Sequence, residues 1–495
     1  MDFDKPDAIL LRYGEVALKS ACKRPFFERL YVSAIKDVIQ DTKVDAYVKN
    51  YGGRFIIHST QVLDLVDSLQ LVPGVQSFSL AKKINFSSLE DLANKVATVV
   101  GDRVCQKSFA VRSRRVGKHD FSSLDLSKAI AKKVFDESAG VDLDTPDVDI
   151  FIEVRNDEAF VYFDFIQGIG GMPPASSGRA LSLFSGGIDS PVASYLMLKR
   201  GVALDYVYID LANDDTTFSH IAQLFTYICD RYNFNHEPVL YRVNAKELVS
   251  VIQKTVKPCF SQLALKIAFY IIGSWFEKKH AYSAIVTGES LAQKSSQTMA
   301  SLQAIASRSD AFVLRPLITM DKEEITQIAR KIGTFSFSSQ VKEYCDLSQG
   351  KSVTATPQLK DMTRLPDFSQ LVHLLCESAT KYSAKTALYV QTPKSDFSKK
   401  DVQDAICVDT RRLSIAKKDV LPQTISRYYY ELISDIDTFL TKQTDTKKTN
   451  FFSSKNSYVF ICEHGVLAKN LVVLCKEKGI NAKACSVREY KHLCC

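Results

Sequence analysis

Residues 185–190 have the sequence SGGIDS and lie between the apolar run RALSLF and a predicted helix that begins near Pro191. A junction of strand, glycine loop and helix directs successive backbone N–H groups to one point, where the helix dipole also favours negative charge. Gly186 and Gly187 allow a ligand to approach the backbone closely. The loop lacks the GxxxxGK[ST] and GxGxxG patterns. It therefore predicts a phosphate site of another kind, and Asp189 within the loop could cap the following helix.

Lys322 stands at the start of a predicted helix in the segment LRPLITMDKEEI. Asp321 and Glu324 form a D-x-x-E capping pattern there, so a solvated lysine in the first turn is one interpretation. A lysine is unfavourable at the positive end of a helix dipole unless an anion compensates it. The second interpretation is therefore a cation that serves an anionic ligand.

Cys462 follows the apolar run YVFI and precedes a predicted helix that ends at Gly479. Thiols at helix N-termini have lowered pKa values because the dipole favours the thiolate. The position suits a nucleophile, although a cysteine at a strand end is more often a small buried hydrophobe. The chain has twelve cysteines without zinc-ribbon spacing, so we expect thiols in a reducing compartment and no metal site built from them.

Residues 103–119 contain six lysines and arginines and no acidic residue, with Phe109 among them. Such clusters bind nucleic-acid phosphates without reading bases. A charge run is more commonly a solvated surface, and that alternative stays open. The predicted RNA-binding residues are Arg112, Arg114, Arg115 and Lys118.

The elements that position these residues belong to a long chain of 495 residues, which implies roughly three or four domains. Hydrophobic residues make up 46% and charged residues 24%, which argues against a mostly disordered or fibrous chain. The net charge of +8 is compatible with a polyanionic partner. The N-terminus MDFDKPD does not resemble a signal peptide, and no run of about eighteen uncharged apolar residues occurs. We expect a cytoplasmic protein without membrane contact.

Turn composition and apolar periodicity divide the chain into four modules. The first two are predicted to be small α+β modules. In the third, short apolar runs alternate with helical stretches, which predicts an α/β domain with a largely parallel sheet. The last is a small α/β module. The predicted modules are residues 1–60, 61–167, 179–360 and 401–495, separated by linkers at 168–178 and 361–400.

A set of motifs resembles, in order and spacing, the tRNA 4-thiouridine synthetase family, also called tRNA sulfurtransferases: GGIGGMP, SGGIDS, TGES, SSQT, LRPL, MDKEEI and EYC. The resemblance covers nearly the whole chain and is weakest in residues 361–400. The opening LLRYGEVALKS resembles the family's ferredoxin-like module, residues 61–165 resemble a THUMP RNA-binding module, and SGGIDS resembles the PP-loop of ATP pyrophosphatases. The implied fold is multidomain α/β and α+β, with a PP-loop parallel-sheet domain and a C-terminal rhodanese-like α/β domain.

The resemblance implies roles for individual residues, with ATP and Mg²⁺ as cofactors. Asp189 and Lys322 match catalytic residues needed for adenylation. Lys266 matches a nucleotide contact, although it lies in an apolar helical stretch where a lysine could simply snorkel. The implied nucleotide-binding residues are Leu183, Phe184, Ser185, Gly186, Gly187, Asp189, Ser190, Lys266, Gly288 and Gln297.

The resemblance also implies the sulfur chemistry. Cys462 matches the persulfide-carrying residue of a rhodanese-like loop, and AICVDTR, residues 405–411, resembles an earlier rhodanese strand. Glu463 and His464 follow the cysteine where the family usually has an arginine. Cys345, in VKEYCDLS, matches the second reactive cysteine, which forms a disulfide with Cys462 when sulfur departs.

The implied reaction is adenylation of O4 of uridine 8 in tRNA, followed by delivery of persulfide sulfur to C4. Attack by free sulfide and attack by the bound persulfide both stay open. The implied partners are tRNA, a cysteine desulfurase as sulfur donor, and a reductant for the Cys345–Cys462 disulfide. A second family role, sulfur transfer toward the thiazole of thiamine through a sulfur carrier protein, would need Cys462 but not the nucleotide loop.

Two other functions remain as alternatives. A lysidine-synthetase-like adenylating ligase shares SGGxDS but has no reason to carry a C-terminal rhodanese-like cysteine. A tRNA-binding protein with an inactive enzyme core is the other alternative, and the intact SGGIDS motif and Lys322 argue against it.

Overall fold

A computed structural model describes residues 5–338, 365–387, 405–410, 421–427, 456–462 and 478–487, together with a few isolated positions between and beyond them. The chain divides into two compact units, Met1–Pro174 and Ala175–Cys495.

The first unit contains one mixed sheet, of which nine strands are described. In chain order the strands are β1 (Ala8–Tyr13), β2 (Tyr47–Asn50), β3 (Phe55–His58), β4 (Val75–Asn85), β5 (Ser108–Val116), β6 (Gly140–Val141), β7 (Val148–Arg155), β8 (Glu158–Tyr162) and β9 (Ile166–Gln167). Across the sheet the order is β2-β3-β1-β4-β8-β7-β5-β6, with β9 beside β4. The α-helices are α1 (Arg24–Thr42), α2 (Val66–Leu69), α3 (Leu89–Val104) and α4 (Ser123–Val134), and 3₁₀ turns span Glu15–Leu18 and Val62–Leu65.

Strand β4 joins the two halves of this sheet, because its first part pairs with β1 and its last part pairs with β8. Helices α3 and α4 cover one face of the second half, where Val96, Phe109 and Ile152 belong to one buried cluster. Each helix begins at a serine cap: Ser88 accepts from the N–H of Asp91, and Ser122 forms a capping box with Asp125. The predicted division between residues 60 and 61 stays a prediction.

The two halves are also linked by hydrogen-bonded charges, since Glu153 binds Arg54 and Glu158 binds Lys49. Glu153, of which 1% is exposed, accepts hydrogen bonds from Arg54 Nε at 3.0 Å and Arg155 Nε at 2.7 Å. Glu158 Oε2 accepts from Tyr51 Oη at 2.6 Å and pairs with Lys49 Nζ at 3.3 Å. Buried carboxylates need such partners to offset their lost hydration.

Much of the predicted linker at 168–178 is fixed to the first unit by backbone hydrogen bonds. Gly168 N donates to Gln76 O at 3.1 Å, and Gly170 N donates to Val75 O at 2.8 Å. A Cβ on Gly168 would lie 2.3 Å from the carbonyl oxygen of Val75, so only glycine allows this approach. Ser177 N instead donates to Gly201 O, and both of these residues belong to the second unit.

The second unit contains a six-stranded sheet of order β14-β13-β10-β11-β12-β15 among the described residues. Its strands are β10 (Arg179–Leu183), β11 (Ala203–Asp210), β12 (Val239–Asn244), β13 (Ile285–Val286), β14 (Val313–Leu314) and β15 (Thr380–Ser383). All pairings are parallel except that of β15, which confirms the predicted largely parallel sheet. The α-helices whose bounds are described are α5 (Asp189–Lys199), α6 (Asp215–Tyr232), α7 (Lys246–Thr255), α8 (Ser261–His280), α9 (Met299–Ala306), α10 (Lys322–Lys331), α11 (Phe335–Ser338), α12 (Ser369–Glu377) and α13 (Ala384–Ala387), with 3₁₀ turns at Pro258–Phe260 and Ser295–Gln297.

Residues 365–387 form structure where the sequence predicts part of a linker. Helix α12 packs on α8 through buried Phe368, Val372 and Cys376. Trp275 Nε1 donates to His373 Nδ1 at 3.1 Å, and β15 pairs antiparallel with β12. The linker prediction is therefore wrong here, because a single short amphipathic helix is enough to anchor a segment that is polar on average.

Helix α8 and the turn before it, Pro258–His280, are long and apolar enough to cross a membrane by length and composition. Most of this segment is buried inside the second unit, and its side chains contribute Ile267, Ala268 and Ile272 to the main core. These contacts are those of a core helix.

A further sheet near the C-terminus contains β16 (Ile406–Asp409), β17 (Thr424–Ser426), β18 (Ser457–Cys462) and β19 (Asn481–Ser486). Its described strands are all parallel and follow the order β17-β16-β18-β19. The strands predicted at AICVD and YVFI are thus adjacent in space, with Val408 opposite Phe460. The rhodanese-like assignment itself stays a prediction.

Candidate active site

A pocket lies where the carboxyl ends of β10, β11 and β13 meet. This is the edge at which open parallel α/β sheets bind ligands. Every predicted nucleotide-binding residue lines it: Leu183, Phe184, Ser185, Gly186, Gly187, Asp189, Ser190, Lys266, Gly288 and Gln297. The structure thus brings together residues that are spread over more than a hundred positions of the chain.

The phosphate loop is closed by its two terminal serines. Ser185 N donates to Ser190 Oγ at 2.8 Å, and Ser190 Oγ donates back to Ser185 O at 3.0 Å. The backbone N–H of Gly187 lies 3.3 Å from Ser185 Oγ. Asp189 is the first residue of α5, and the N-cap position, Ile188, has no side-chain hydrogen bond to the helix. The interpretation of Asp189 as a helix cap is therefore wrong. Its carboxylate is directed elsewhere.

Lys322 is the partner of Asp189. Its Nζ donates to Asp189 Oδ1 at 2.7 Å, although 133 residues separate the two in sequence. The predicted capping box is confirmed as well: Glu324 N donates to Asp321 Oδ1 at 2.8 Å, and Asp321 N donates to Glu324 Oε2 at 2.9 Å. Lys322 is therefore both a first-turn residue and a cation paired with an anion at the phosphate loop.

Gly288 packs directly against this loop. A Cβ at this position would lie 2.8 Å from the carbonyl carbon of Asp189 and 2.9 Å from Ser190 N. Contacts below about 3.0 Å are forbidden to real Cβ atoms, so the position requires glycine. The TGES segment after β13 therefore rests on the phosphate loop.

Two predicted nucleotide contacts have polar groups without a hydrogen-bond or ion-pair partner among the described residues. Gln297 is 4% exposed, and its Oε1 is buried without a hydrogen-bond partner among the described residues. Most buried acceptors in proteins have donors, so this atom is an exception among the described residues. Lys266 lies on α8 with its Nζ 5.5 Å from the ring centre of Phe269, and the described residues include no acidic partner for it.

Sequence reasoning missed a hydrogen-bonded cluster in the wall of the pocket. Glu289 Oε2 accepts from Tyr270 Oη at 2.5 Å, Thr287 Oγ1 at 3.0 Å and Arg315 Nε at 3.0 Å. Burial, together with the Glu289 carboxylate, raises the pKa of Tyr270 well above its ordinary value. Glu289 belongs to the TGES motif and Arg315 to the LRPL motif, and both motifs can be recognised in the sequence. Nothing in the sequence indicates that these two residues are in contact.

The candidate sulfur-transfer residues are described only in part. Cys462 is the last residue of β18, next to the end of β16. Thr410, after β16, donates to Ile461 O through both its N and its Oγ1, at 2.8 and 2.9 Å. Cys345, Glu463 and His464 lie outside the described residues, as does the predicted Cys345–Cys462 disulfide.

The predicted RNA-binding residues are divided between two faces of β5. Arg112 and Arg114 lie exposed on one face. Arg115 lies on the other face together with Ser113, which contacts Ser127 of α4 through an Oγ–Oγ hydrogen bond of 2.9 Å. Lys118 is exposed beyond the end of the strand. Alternate residues of a strand face opposite sides, so these four side chains do not form one patch.

Their pairing differs as well. Arg112 Nε donates to Asp149 Oδ1 at 2.6 Å, and its Nη2 donates to Leu143 O at 3.0 Å. Arg114 and Lys118 have no ion-pair partner in the part of the chain that the structure describes. Of the four predicted residues, Arg114 and Lys118 are therefore the exposed cations that are not paired within the described part of the protein.

The strand, glycine loop and helix at the edge of a parallel sheet are the features expected of a PP-loop domain. Three family models match the chain: ThiI ferredoxin-like domain at residues 8–79, THUMP domain at residues 86–164, and Thiamine biosynthesis protein (ThiI) at residues 175–371. These matches confirm the ferredoxin-like, THUMP and PP-loop parts of the predicted fold.

Similar proteins extend over the whole chain. A tRNA sulfurtransferase of Thermoplasma volcanium is 31% identical over 478 residues, which cover 96% of this chain and 94% of that protein. A tRNA sulfurtransferase of Aeromonas salmonicida is 30% identical over 492 residues, covering 96% and 98%. A crystal structure of a 4-thiouridine synthetase–RNA complex with bound ATP is 26% identical, with a TM-score of 0.67, and covers 76% of this chain and 99% of that one. The chain belongs to the ThiI family of tRNA sulfurtransferases.

Proposed function

We propose that this chain is an ATP-dependent tRNA sulfurtransferase that adenylates uridine 8 of tRNA and replaces its O4 with sulfur, forming 4-thiouridine. The observation that carries the proposal is the 2.7 Å pair of Lys322 and Asp189 at the end of the phosphate loop. Family membership and the similar synthetase with bound RNA and ATP support it.

In the adenylation step, O4 of the uracil attacks the α-phosphorus of ATP, the bond to the β-phosphate breaks, and pyrophosphate leaves. The phosphate loop, residues 185–190, would hold the pyrophosphate portion at the start of α5 through backbone N–H groups other than that of Ser185, which donates to Ser190 Oγ. Lys322 would stabilise the negative charge that develops on the phosphates. Gln297 Oε1, buried and without a partner among the described residues, would accept from a donor group of the nucleotide.

The residues present also fit a magnesium ion bound with ATP. Asp189 offers a carboxylate beside the phosphate loop, and Mg²⁺ is commonly held by one or two carboxylates and substrate phosphates. The ion would neutralise phosphate charge there.

In the sulfur step, a cysteine desulfurase would load Cys462 of a rhodanese-like module at residues 401–495 with a persulfide. The terminal sulfur attacks C4, and AMP departs with the former O4. Cys345 then attacks the Cys462 sulfur of the resulting disulfide link, which releases the thiolated uracil and leaves a Cys345–Cys462 disulfide. An external dithiol reductant restores both thiols. A cytoplasmic location suits these reduced thiols.

The first unit, with the predicted modules 1–60 and 61–167, would bind the tRNA. Exposed cations on one face of β5 suit contact with phosphates. The name of the matched family also favours a second role, transfer of persulfide sulfur from Cys462 toward a thiamine-pathway sulfur carrier protein.

The test is reconstitution with ATP, a cysteine desulfurase, a dithiol reductant and tRNA that lacks 4-thiouridine. Mass analysis of the nucleosides should detect 4-thiouridine only when all components are present. Cys462→Ser should lose persulfide loading, whereas Cys345→Ser should accept the persulfide but fail to turn over. Without reductant, peptide mapping should detect the Cys345–Cys462 crosslink. Pyrophosphate release without any sulfur in the tRNA would instead favour the ligase alternative.

A further inference from the structure

Three consecutive residues of the TGES segment each contact a different part of the adenylation site. Gly288 packs on the backbone of Asp189. Glu289 binds Arg315 at 3.0 Å. Ser290 Oγ donates to Met320 O at 2.6 Å. One short segment thus connects the phosphate loop with the chain that leads to Lys322.

Glu289 is the most constrained member of this segment. It is 3% exposed, and one carboxylate oxygen, Oε2, accepts three hydrogen bonds. Arg315 Nη2 also donates to Tyr270 Oη at 3.0 Å, so the guanidinium is held by two partners at once. A planar guanidinium held at two points has a defined orientation, which a single hydrogen bond would not give it.

The segment from Arg315 to Lys322 is short, and residues 289–291 form hydrogen bonds with it at several positions. Leu291 N donates to Ile318 O at 3.1 Å, two residues before Met320, where Ser290 is attached. Asp321 then caps the N-terminus of α10 through its capping box with Glu324. Residues 315–321 are therefore held at Arg315, Ile318 and Met320 by residues 289–291, and Lys322 follows at once.

We propose that Glu289 is a positioning residue for adenylation. Through Arg315 it fixes residues 315–321 so that Lys322 Nζ meets Asp189 and the phosphate loop before the nucleotide reacts. The inference rests on the proposed function for its kinetic consequence, but the placement of Lys322 is measurable without any reaction. A misplacement of about 1 Å in a catalytic group can cost about 100-fold in rate.

The test uses the full chain and the variant Glu289→Gln, which keeps the side-chain shape and removes the charge. For tRNA-dependent pyrophosphate release we expect kcat to fall about 10- to 100-fold, with the KM for ATP changed by less than about threefold, because the variant disturbs alignment rather than binding. The variant Lys322→Met and the double variant Glu289→Gln/Lys322→Met complete a double-mutant cycle. If Glu289 acts through Lys322, the double variant should be no slower than Lys322→Met alone.

A second readout does not depend on activity. Limited acylation with an amine-reactive reagent, mapped by peptide mass, should label Lys322 severalfold faster in Glu289→Gln than in the unaltered protein, approaching the rate in Asp189→Ala, where the pair is absent. If the unaltered protein released no pyrophosphate with tRNA, the proposed function would fail, and the labelling result would still decide whether Glu289 positions Lys322. Arg315→Lys, which keeps the charge but cannot bind both partners in the same plane, should give the same shift and serves if Glu289→Gln does not fold.

The matched control is Asp205→Asn. Asp205 is a buried carboxylate of the same sheet, 2% exposed, that accepts from Tyr282 Oη at 2.6 Å and Arg179 Nη2 at 2.9 Å near the amino end of β11. This substitution should lower the melting temperature without changing kcat per folded molecule or the labelling of Lys322. Unchanged labelling in Glu289→Gln and Arg315→Lys, or rate reductions that multiply with that of Lys322→Met, would overturn the proposal.

Discussion

The nucleotide pocket and strand β5 bring charged residues together in opposite ways. In the pocket, Asp189 and Lys322 are 133 residues apart in sequence and 2.7 Å apart in space, because loops that follow parallel strands meet at one edge. On β5, Arg114 and Arg115 are neighbours in sequence and lie on opposite faces. Charge density along the chain is therefore a poor guide to charge density in space when the segment is a strand.

The two regions also differ in whether their charged side chains form ion pairs within the protein. In the pocket, Asp189 is paired with Lys322 and Glu289 with Arg315, whereas Lys266 has no acidic partner among the described residues. Arg114 and Lys118 are exposed and unpaired within the described residues, which leaves them to a polyanionic partner. The side chains of the pocket are thus held by protein partners, whereas the face of β5 that is predicted to bind RNA leaves its cations exposed to water.

The largest effect expected from this difference is on chemistry in the pocket. Asp189→Ala or Lys322→Met should lower tRNA-dependent pyrophosphate release by about 1000-fold, because Lys322→Met removes a cation next to the phosphate loop and Asp189→Ala removes the carboxylate that holds that cation. Affinity for tRNA should change by less than about twofold, since RNA binding is assigned to the other unit. Pyrophosphate release and filter binding measure the two quantities. Release at the original rate by either variant would refute the assignment of the pocket.

A smaller effect should distinguish the two faces of β5. Arg114→Ala combined with Lys118→Ala should weaken tRNA binding about three- to tenfold and lower the slope of log affinity against log salt by about 0.7 to 0.9 for each phosphate interaction that is removed. Arg115→Ala, on the face covered by α4, is the matched control and should leave both quantities nearly unchanged. Binding titrations at several salt concentrations measure them. Equal reductions in both variants would show that the whole basic segment contacts RNA.

Local pattern and long-range contact explain which parts of the molecule are predictable. The strand, glycine loop and helix around Gly186 and Gly187 can be predicted because all of their determinants are adjacent in sequence. The resemblance brought distant Lys322 and Gln297 to the same site, which spacing alone does not do. The contact of Glu289 with Arg315 was missed because it depends on how β13 and β14 align, a property of the sheet and not of either segment.

Helix α12 was missed for a related reason. Its buried residues Val372, Leu375 and Cys376 follow helical spacing, but the helix has only nine residues and is surrounded by polar sequence. Short helices are stable only through tertiary packing, which α12 makes against α8. The average composition of a sequence segment contains no information about such packing.

The smallest expected effect concerns the ion pairs of the first unit. Their contribution to the stability of that unit should depend on pH, whereas pyrophosphate release in the pocket should not depend on them. Burial by itself would raise the pKa of Glu158, but hydrogen bonds from Lys83, Tyr51 and Lys49 outweigh it and lower that pKa to about 2. The folded state therefore binds this proton less readily than the unfolded chain, whose glutamates titrate near pH 4.5. Its contribution to stability is complete above pH 4.5 and is lost as the pH falls toward 2.

The variant Glu158→Gln should thus melt a few degrees lower than the unaltered protein at pH 6, since charge-assisted hydrogen bonds contribute about 1.5 to 3 kcal/mol. The difference should narrow as the pH approaches 2, and pyrophosphate release at pH 7 should be unaffected. Glu90→Gln is the control, because Glu90 pairs with Lys133 on the surface, with 69% of its side chain exposed, and should change the melting temperature little. Thermal unfolding followed by circular dichroism between pH 2 and pH 7 gives the comparison. A constant difference across that range would mean that Glu158 stabilises the sheet by packing alone, and the charged link between β8 and the strands of the first half would then carry none of the stability.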